Sequence, residues 1–235
     1  MRYKAVLLDF YGTLVEEDHP LIAGIVECVA AASPLKAEPA AIARAWSDKY
    51  GGMCADALGA GFVSQRAIEI ESLRALLRDY QVDLDAGDLS AVIYRYWQAP
   101  RPFPDTERFL RQLPVPACVV SNIDTEDVRA AIRGLGWDLS LVVTSEDARA
   151  YKPRPEPFEA GLRLLGLQLG DVLHIGDSVD ADVAGAQALG MDIAWLNRRN
   201  RQPPATRPTY TFTCLSDVLS LWAGGDDDRP AQEAC

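Results

Sequence analysis

Four short clusters of polar residues carry the chemistry open to this sequence: Asp9-Phe10-Tyr11-Gly12-Thr13, Ser121-Asn122, Lys152-Pro153, and Gly176-Asp177-Ser178 followed by Asp182. A carboxylate is a competent nucleophile, and a covalent intermediate formed on it divides one hard substitution into two easier ones. Carboxylates gathered together also offer oxygen ligands to a hard divalent cation. A compact ammonium beside them can contact both a carboxylate and an anionic oxygen of a substrate. Each cluster alone has a plainer explanation. A Ser-Asn pair caps helices, a strand-end Asp makes turns, and Asp177, Asp180 and Asp182 suit the start of a helix. Lys152 taken alone is a solvated loop lysine. Their placement on the fold decides between these explanations.

Short apolar runs ending at a polar residue or glycine mark buried parallel strands. They are Ala5–Leu8 before Asp9, Cys118–Val120 before Ser121, Leu141–Val143 before Thr144, Val172–Ile175 before Gly176, and Ile193–Leu196. Helical segments over about 125–135, 155–166 and 179–189 separate the later runs, which predicts an α/β fold with a Rossmann-like, doubly wound parallel sheet. Ligands bind such sheets beyond the carboxyl ends of the strands. Three of the four clusters stand at those ends and Lys152 follows a fourth strand closely, so all four are expected in one crevice.

Between the first two strands lie roughly a hundred residues, too many for one crossover. Leu21, Ile22, Ile25, Val26 and Val29 have helical spacing after Pro20, and Ile70, Leu73, Leu77 and Tyr80 have it after Ser64, a candidate N-cap. Further helices are expected near 39–50 and 86–97, with Gly51-Gly52 as a break. The expected organisation is a core of residues 1–16 and 99–223 and a helical cap over 17–98. The chain returns to the core through Pro100 to Pro104, and residues 224–235 form a frayed tail. Asp105-Thr106 reads as the N-cap of the next helix. His174, inside an apolar strand, reads as a packed residue, and His19 lies near the hinge.

The 34 acidic and 23 basic residues give a formal charge of −11, which opposes nonspecific binding to nucleic acid or an anionic membrane and favours a small-molecule substrate. No apolar run approaches the roughly 20 residues of a membrane helix, and the first residues resemble no cleavable leader, so the expectation is cytoplasmic. The five scattered cysteines form no metal-type or CxxC pattern and read as reduced thiols. Oligomeric state is left open.

The four clusters, in this order over residues 5–190, resemble the haloacid dehalogenase-like hydrolase superfamily, and the helical insertion after the first resembles its first cap type. The resemblance implies Asp9 as nucleophile, with Ser121 binding the transferred group beside Thr13 and Asn122 as substrate-binding candidates. It also implies that Lys152 steadies the nucleophile and that magnesium is held by Asp9, Asp177, Asp182 and the backbone carbonyl of Tyr11. Asp182 is expected to act through a metal-bound water or from behind the ligands. Phosphatases of the superfamily usually carry a second aspartate where this chain has Tyr11, a residue typical of its 2-haloacid dehalogenase branch. That branch needs no metal, however, and has a Ser-Ser-Asn type sequence where Gly176-Asp177-Ser178 stands. The expectation is therefore a magnesium-dependent small-molecule phosphatase working through an aspartyl phosphate, with Tyr11 as candidate acid. The alternatives are a metal-independent dehalogenase and a vestigial or binding module. Glu16, Glu17 and Asp18 are further acid/base candidates, although a solvated acidic turn is the plainer reading of them, and Arg44, Trp46, Arg66, Arg95 and Trp97 are candidate specificity residues.

Overall fold

The computed structural model describes residues 2–223. Six parallel strands form one sheet in the order β3-β2-β1-β4-β5-β6. They are β1 (Ala5–Leu8), β2 (Ala117–Ser121), β3 (Val142–Thr144), β4 (Val172–Gly176), β5 (Asp192–Leu196) and β6 (Tyr210–Phe212). The first five are apolar and buried, as strands covered by helices on both faces must be. β6 was not expected. Its three residues are half-buried to exposed, too short and too weakly patterned to stand out.

The order of strands is that of a doubly wound sheet whose direction of winding reverses between β1 and β4. Register brings the ends of these two strands level. Leu8 pairs with Ile175 on one side and Val119 on the other, so Asp9 emerges beside Gly176. The Asp9 amide donates to the Ile175 carbonyl at 2.9 Å, which ties the residue to β4.

Four helices fill the long insertion: α1 (His19–Ala32), α2 (Pro39–Asp56), α3 (Gln65–Asp79) and α4 (Ala86–Gln98). Ser64 caps α3, its hydroxyl accepting from the Ala67 amide. The expected break at Gly51-Gly52 does not occur. Both glycines are exposed, and the helix is held by Ile42 and Trp46 on its buried face, so it continues to Asp56. The two connections to the sheet pair with each other: Glu16 N donates to Arg101 O at 2.8 Å and Phe103 N to Leu14 O at 3.2 Å.

The remaining helices are α5 (Thr106–Gln112), α6 (Thr125–Leu135), α7 (Ser145–Ala148), α8 (Pro155–Leu165), α9 (Ala184–Leu189), α10 (Leu215–Val218) and α11 (Ser220–Ala223). Asp105 does not cap α5 with its side chain. Its carboxylate instead accepts from Arg198 at 3.0 Å and from the Leu215 amide at 2.6 Å, partners too distant in sequence for a local motif to reveal. The helix expected over 179–189 begins as a π-helical turn, Val179–Val183, and becomes α-helical at Ala184. No described helix is long and apolar enough to cross a membrane. The tail assigned to 224–235 lies outside the described residues.

Candidate active site

Asp9, Ser121, Lys152, Asp177 and Asp182 line one crevice of about 170 Å³ at the carboxyl ends of β1, β2 and β4. A larger groove of about 680 Å³ opens at the amino ends of β2 and β3, among residues such as Leu110, Val115 and Trp137. Of the four clusters none reaches that groove, so the smaller crevice is the candidate site.

Lys152 organises the floor. Its ammonium donates to Asp9 Oδ1 at 2.8 Å, to Asp182 Oδ1 at 2.6 Å and to the Val120 carbonyl at 2.8 Å, so its three donors are all engaged. Asn122 fixes its backbone from both sides, accepting from Lys152 N at 2.7 Å and donating to Lys152 O at 3.0 Å. Asp182 is equally well held, with Oδ1 2.9 Å from His174 Nε2 and Oδ2 accepting from the Ser178 amide at 3.0 Å. Because a carboxylate only accepts, that contact puts the His174 proton on Nε2. Burial opposes the charge on Asp182, but Lys152 and His174 outweigh it and hold its carboxyl below the usual range. Burial likewise pushes the His174 ring below its usual value.

Asp9 and Asp177 are less well compensated. Burial pushes Asp9 up to about 6 despite Lys152, with Asp182 adding to the rise, and burial together with Asp9 and Asp182 pushes Asp177 up to about 8. Oxygens of Asp9, Asp177 and Asp182 lie within 4.8 Å of one another. Hard oxygen donors on buried carboxylates short of positive charge fit a divalent cation such as magnesium. Two glycines make this crowding possible. A Cβ on Gly12, at φ +88°, would come 2.3 Å from Asp177 Oδ1, and one on Gly176 would come 2.3 Å from Asp182 Cγ. Asp177 is oriented from below, its carbonyl accepting from Trp195 Nε1 at 2.9 Å and from Arg201 Nη2 at 2.5 Å.

The insertion supplies the roof. Tyr11 lines the crevice, but its hydroxyl donates to the Trp97 carbonyl at the end of α4, and burial with the charges of Asp127 and Asp18 holds its pKa well above the usual value. Glu17 and Asp18 also line the crevice, whereas Glu16 is exposed. Asp18 accepts from Trp97 Nε1 at 2.8 Å, and burial raises its carboxyl. Thr13 is fully buried, with its hydroxyl unpartnered.

Among the expected specificity residues only Trp97 reaches the crevice. Trp46 is packed inside the insertion with its indole N–H on Ser72, and Arg44 and Arg95 are exposed. Arg66 instead grips Asp127 of α6 through Nε at 2.7 Å and Nη2 at 2.5 Å. Beside it, the Asp124 carboxylate accepts from the Gln65 and Arg66 amides at 2.7 and 3.0 Å, capping α3 from across the interface.

Sequence reasoning missed His174, Arg201, Asp124, Asp127 and Gln65. A signal existed for His174, since a polar side chain in a strand buried on both faces must find a partner. The others meet their partners only through tertiary folding.

A family model described as haloacid dehalogenase-like hydrolase matches residues 3–190. Haloacetate dehalogenase H-2 of Moraxella sp. is 24% identical over 232 residues, covering 94% of this chain and 99% of that one. Phosphoglycolate phosphatase of Pectobacterium atrosepticum is 28% identical over 225 residues, covering 93% and 92%. The structure of L-2-haloacid dehalogenase from Xanthobacter autotrophicus superimposes with a TM-score of 0.73 at 21% identity, covering 94% of this chain and 99% of the other.

Proposed function

Since the chain belongs to the haloacid dehalogenase-like hydrolase family, we propose that it is a magnesium-dependent phosphohydrolase that transfers a phosphoryl group to Asp9 and then to water. The observation that carries this reading is the charge imbalance of the floor, where Asp9 and Asp182 share Lys152 and the Asp177 carboxylate meets only a half-exposed Arg201 at 3.4 Å. Lys152 and its partners account for Asp182 and part of Asp9, while Asp177 is left without an adequate counter-charge.

In this reading Asp9, held through Oδ1 by Lys152, attacks phosphorus with its other oxygen. The new Asp9 O–P bond forms as the ester P–O bond breaks, and the leaving oxygen takes up a proton. Water then cleaves the acyl phosphate, releasing phosphate and restoring the carboxylate. Ser121, at the end of β2, donates to a phosphoryl oxygen. Asp182, with Asp9, keeps Lys152 charged, His174 holds Asp182 in place, and Asn122 fixes the Lys152 backbone, which makes Asp182, His174 and Asn122 positioning residues. Asp9 and Asp177 would hold a divalent cation, which would supply positive charge to offset that of the phosphoryl group. Asp18, with its raised carboxyl at the crevice wall, is better suited than Tyr11 to protonate the leaving oxygen, because the Tyr11 hydroxyl is occupied by Trp97.

A second reading, metal-independent hydrolysis of a 2-haloacid, is favoured by Tyr11 and by the haloacetate dehalogenase relative. A panel of phosphate esters and short 2-haloacids, assayed with magnesium and with chelator, separates the two. Phosphate release that requires magnesium supports the first, and halide release in full chelator overturns it.

A further inference from the structure

Asn122 has a counterpart on the other side of the floor. Asn122 follows β2 and holds both backbone groups of Lys152. Asn197 follows β5 and does the same for Arg201, accepting from Arg201 N at 2.8 Å and donating to Arg201 O at 2.8 Å. Asn197 is itself only 5% exposed, and its amide donates to the Phe212 carbonyl of β6 at 2.7 Å. Asn200 takes the left-handed conformation at φ +49° and donates its amide to Asn197 O at 3.2 Å, which closes the turn that carries Arg201.

The side chain placed in this way reaches Asp177. Arg201 Nη2 donates to the Asp177 carbonyl at 2.5 Å and lies 3.4 Å from Oδ2, a long and weak contact. Trp195, paired with Gly176 across β4 and β5, donates to the same carbonyl from Nε1 at 2.9 Å, so both of its lone pairs are used. Asp9 and Asp182 are aimed through their carboxylates, by Lys152, His174 and the Ser178 amide. Among the described residues no short hydrogen bond reaches the Asp177 carboxylate. Its aim therefore comes from its backbone, and its two oxygens stay available to a ligand.

We infer that Arg201, pinned by Asn197, is a positioning residue for the metal centre: it holds the Asp177 peptide so that the carboxylate faces Asp9 and Asp182, and in doing so it sets the affinity for a divalent cation. The inference rests on the metal-dependent reading above. The positive charge of Arg201 works in the opposite sense, since it repels a cation. That charge is half-exposed and hence screened by solvent, whereas the hydrogen bond to the carbonyl is short and charge-assisted. The hold outweighs the repulsion.

The test titrates magnesium alone into the full-length chain by calorimetry, at one pH and without substrate. Loss of a group that orients a metal ligand weakens binding about 10–100-fold, so Arg201→Met and Asn197→Ser are each expected to raise the dissociation constant by about tenfold or more. Asn197→Ser keeps the guanidinium, so a loss there reports position and not charge. Arg201 is half-exposed, so Arg201→Met leaves folding largely intact and decides alone if Asn197→Ser does not fold. An affinity that either folded variant leaves unchanged, or that Arg201→Met raises, overturns the inference. Magnesium binding by the unsubstituted chain in that case shows that only the positioning inference has failed. Absence of binding by the unsubstituted chain removes the metal-dependent reading and the inference with it.

Discussion

The floor and the roof of the crevice manage charge in opposite ways. On the floor, Lys152, Asp182 and His174 satisfy one another through short hydrogen bonds, and Asn122 and Ser178 fix them from the backbone. On the roof, Gln65 keeps a buried amide oxygen unpaired, and Asp18 keeps a carboxyl that burial raises. Within the floor network His174 Nδ1 lacks a partner, and the remaining mutual hydrogen bonds hold Lys152 and Asp182 in register. Unpaired acceptors leave interactions for a ligand to complete. Under the proposed reading, the contrast puts reaction on the floor and leaves selection to the roof.

The harshest way to break the contrast is to remove the nucleophile. Asp9→Asn is expected to lower aryl phosphate turnover by about a thousandfold or more, since an amide cannot open the covalent route. Wild-type turnover in that variant refutes the assignment. Lys152→Met strikes the floor's stability as well. It strands Asp9 and Asp182 as buried charges, and breaking a buried pair in this way costs about 3–5 kcal/mol, measurable by urea unfolding. A loss below about 1 kcal/mol would show the network to be far less coupled than its geometry.

Asp18→Asn sharpens the division on the roof. It should slow alkyl esters by about a hundredfold through loss of the acid, yet slow p-nitrophenyl phosphate only slightly, because that leaving group needs no proton. Equal losses on both substrates assign Asp18 a structural role. A smaller effect concerns pH. The raised carboxyls of Asp9 and Asp177, at about 6 and 8 against 3.8 for the free group, bind more protons folded than unfolded. Their contribution to stability therefore declines as pH rises from about 4 and is fully lost above 8. The gain in Tm on adding magnesium should accordingly be greater at pH 8 than at pH 5.5 and should shrink in Asp177→Asn, whereas a pH-independent gain in both proteins contradicts the metal assignment. The mildest change is Arg66→Ala, which weakens the roof's hold on Asp127 and leaves it the Gln98 Nε2 bond at 2.9 Å. It is expected to raise KM a few-fold with kcat nearly unchanged, since the floor is untouched. A fall in kcat with KM unchanged would join roof and floor more tightly than the division allows.

The division also explains what the sequence made legible. Asp9, Ser121 and Asp177 follow buried apolar strands, so pattern alone brings them to the same edge of a parallel sheet. The helices α1 and α3 were readable because their apolar faces recur at helical spacing and Ser64 caps α3. The Gly51-Gly52 break was misjudged because packing at Ile42 and Trp46 overrides local propensity. Arg66 was expected to face substrate, and its capture by Asp127 depends on a contact between residues 61 positions apart. Roof residues show no motif, since each faces the crevice only through the way four helices dock on the sheet.

The run from Ser121 to Asp124 has a mechanical consequence. Its first residue ends a strand, its second grips both backbone groups of Lys152, and its fourth closes the amino end of α3. Three peptide units separate the first from the last, at most about 11 Å of chain. So short a linkage acts as a crank, with one arm under the nucleophile's lysine and the other under the roof. A displacement of the roof would therefore pull on the same backbone that holds Lys152, so the two arms are mechanically joined.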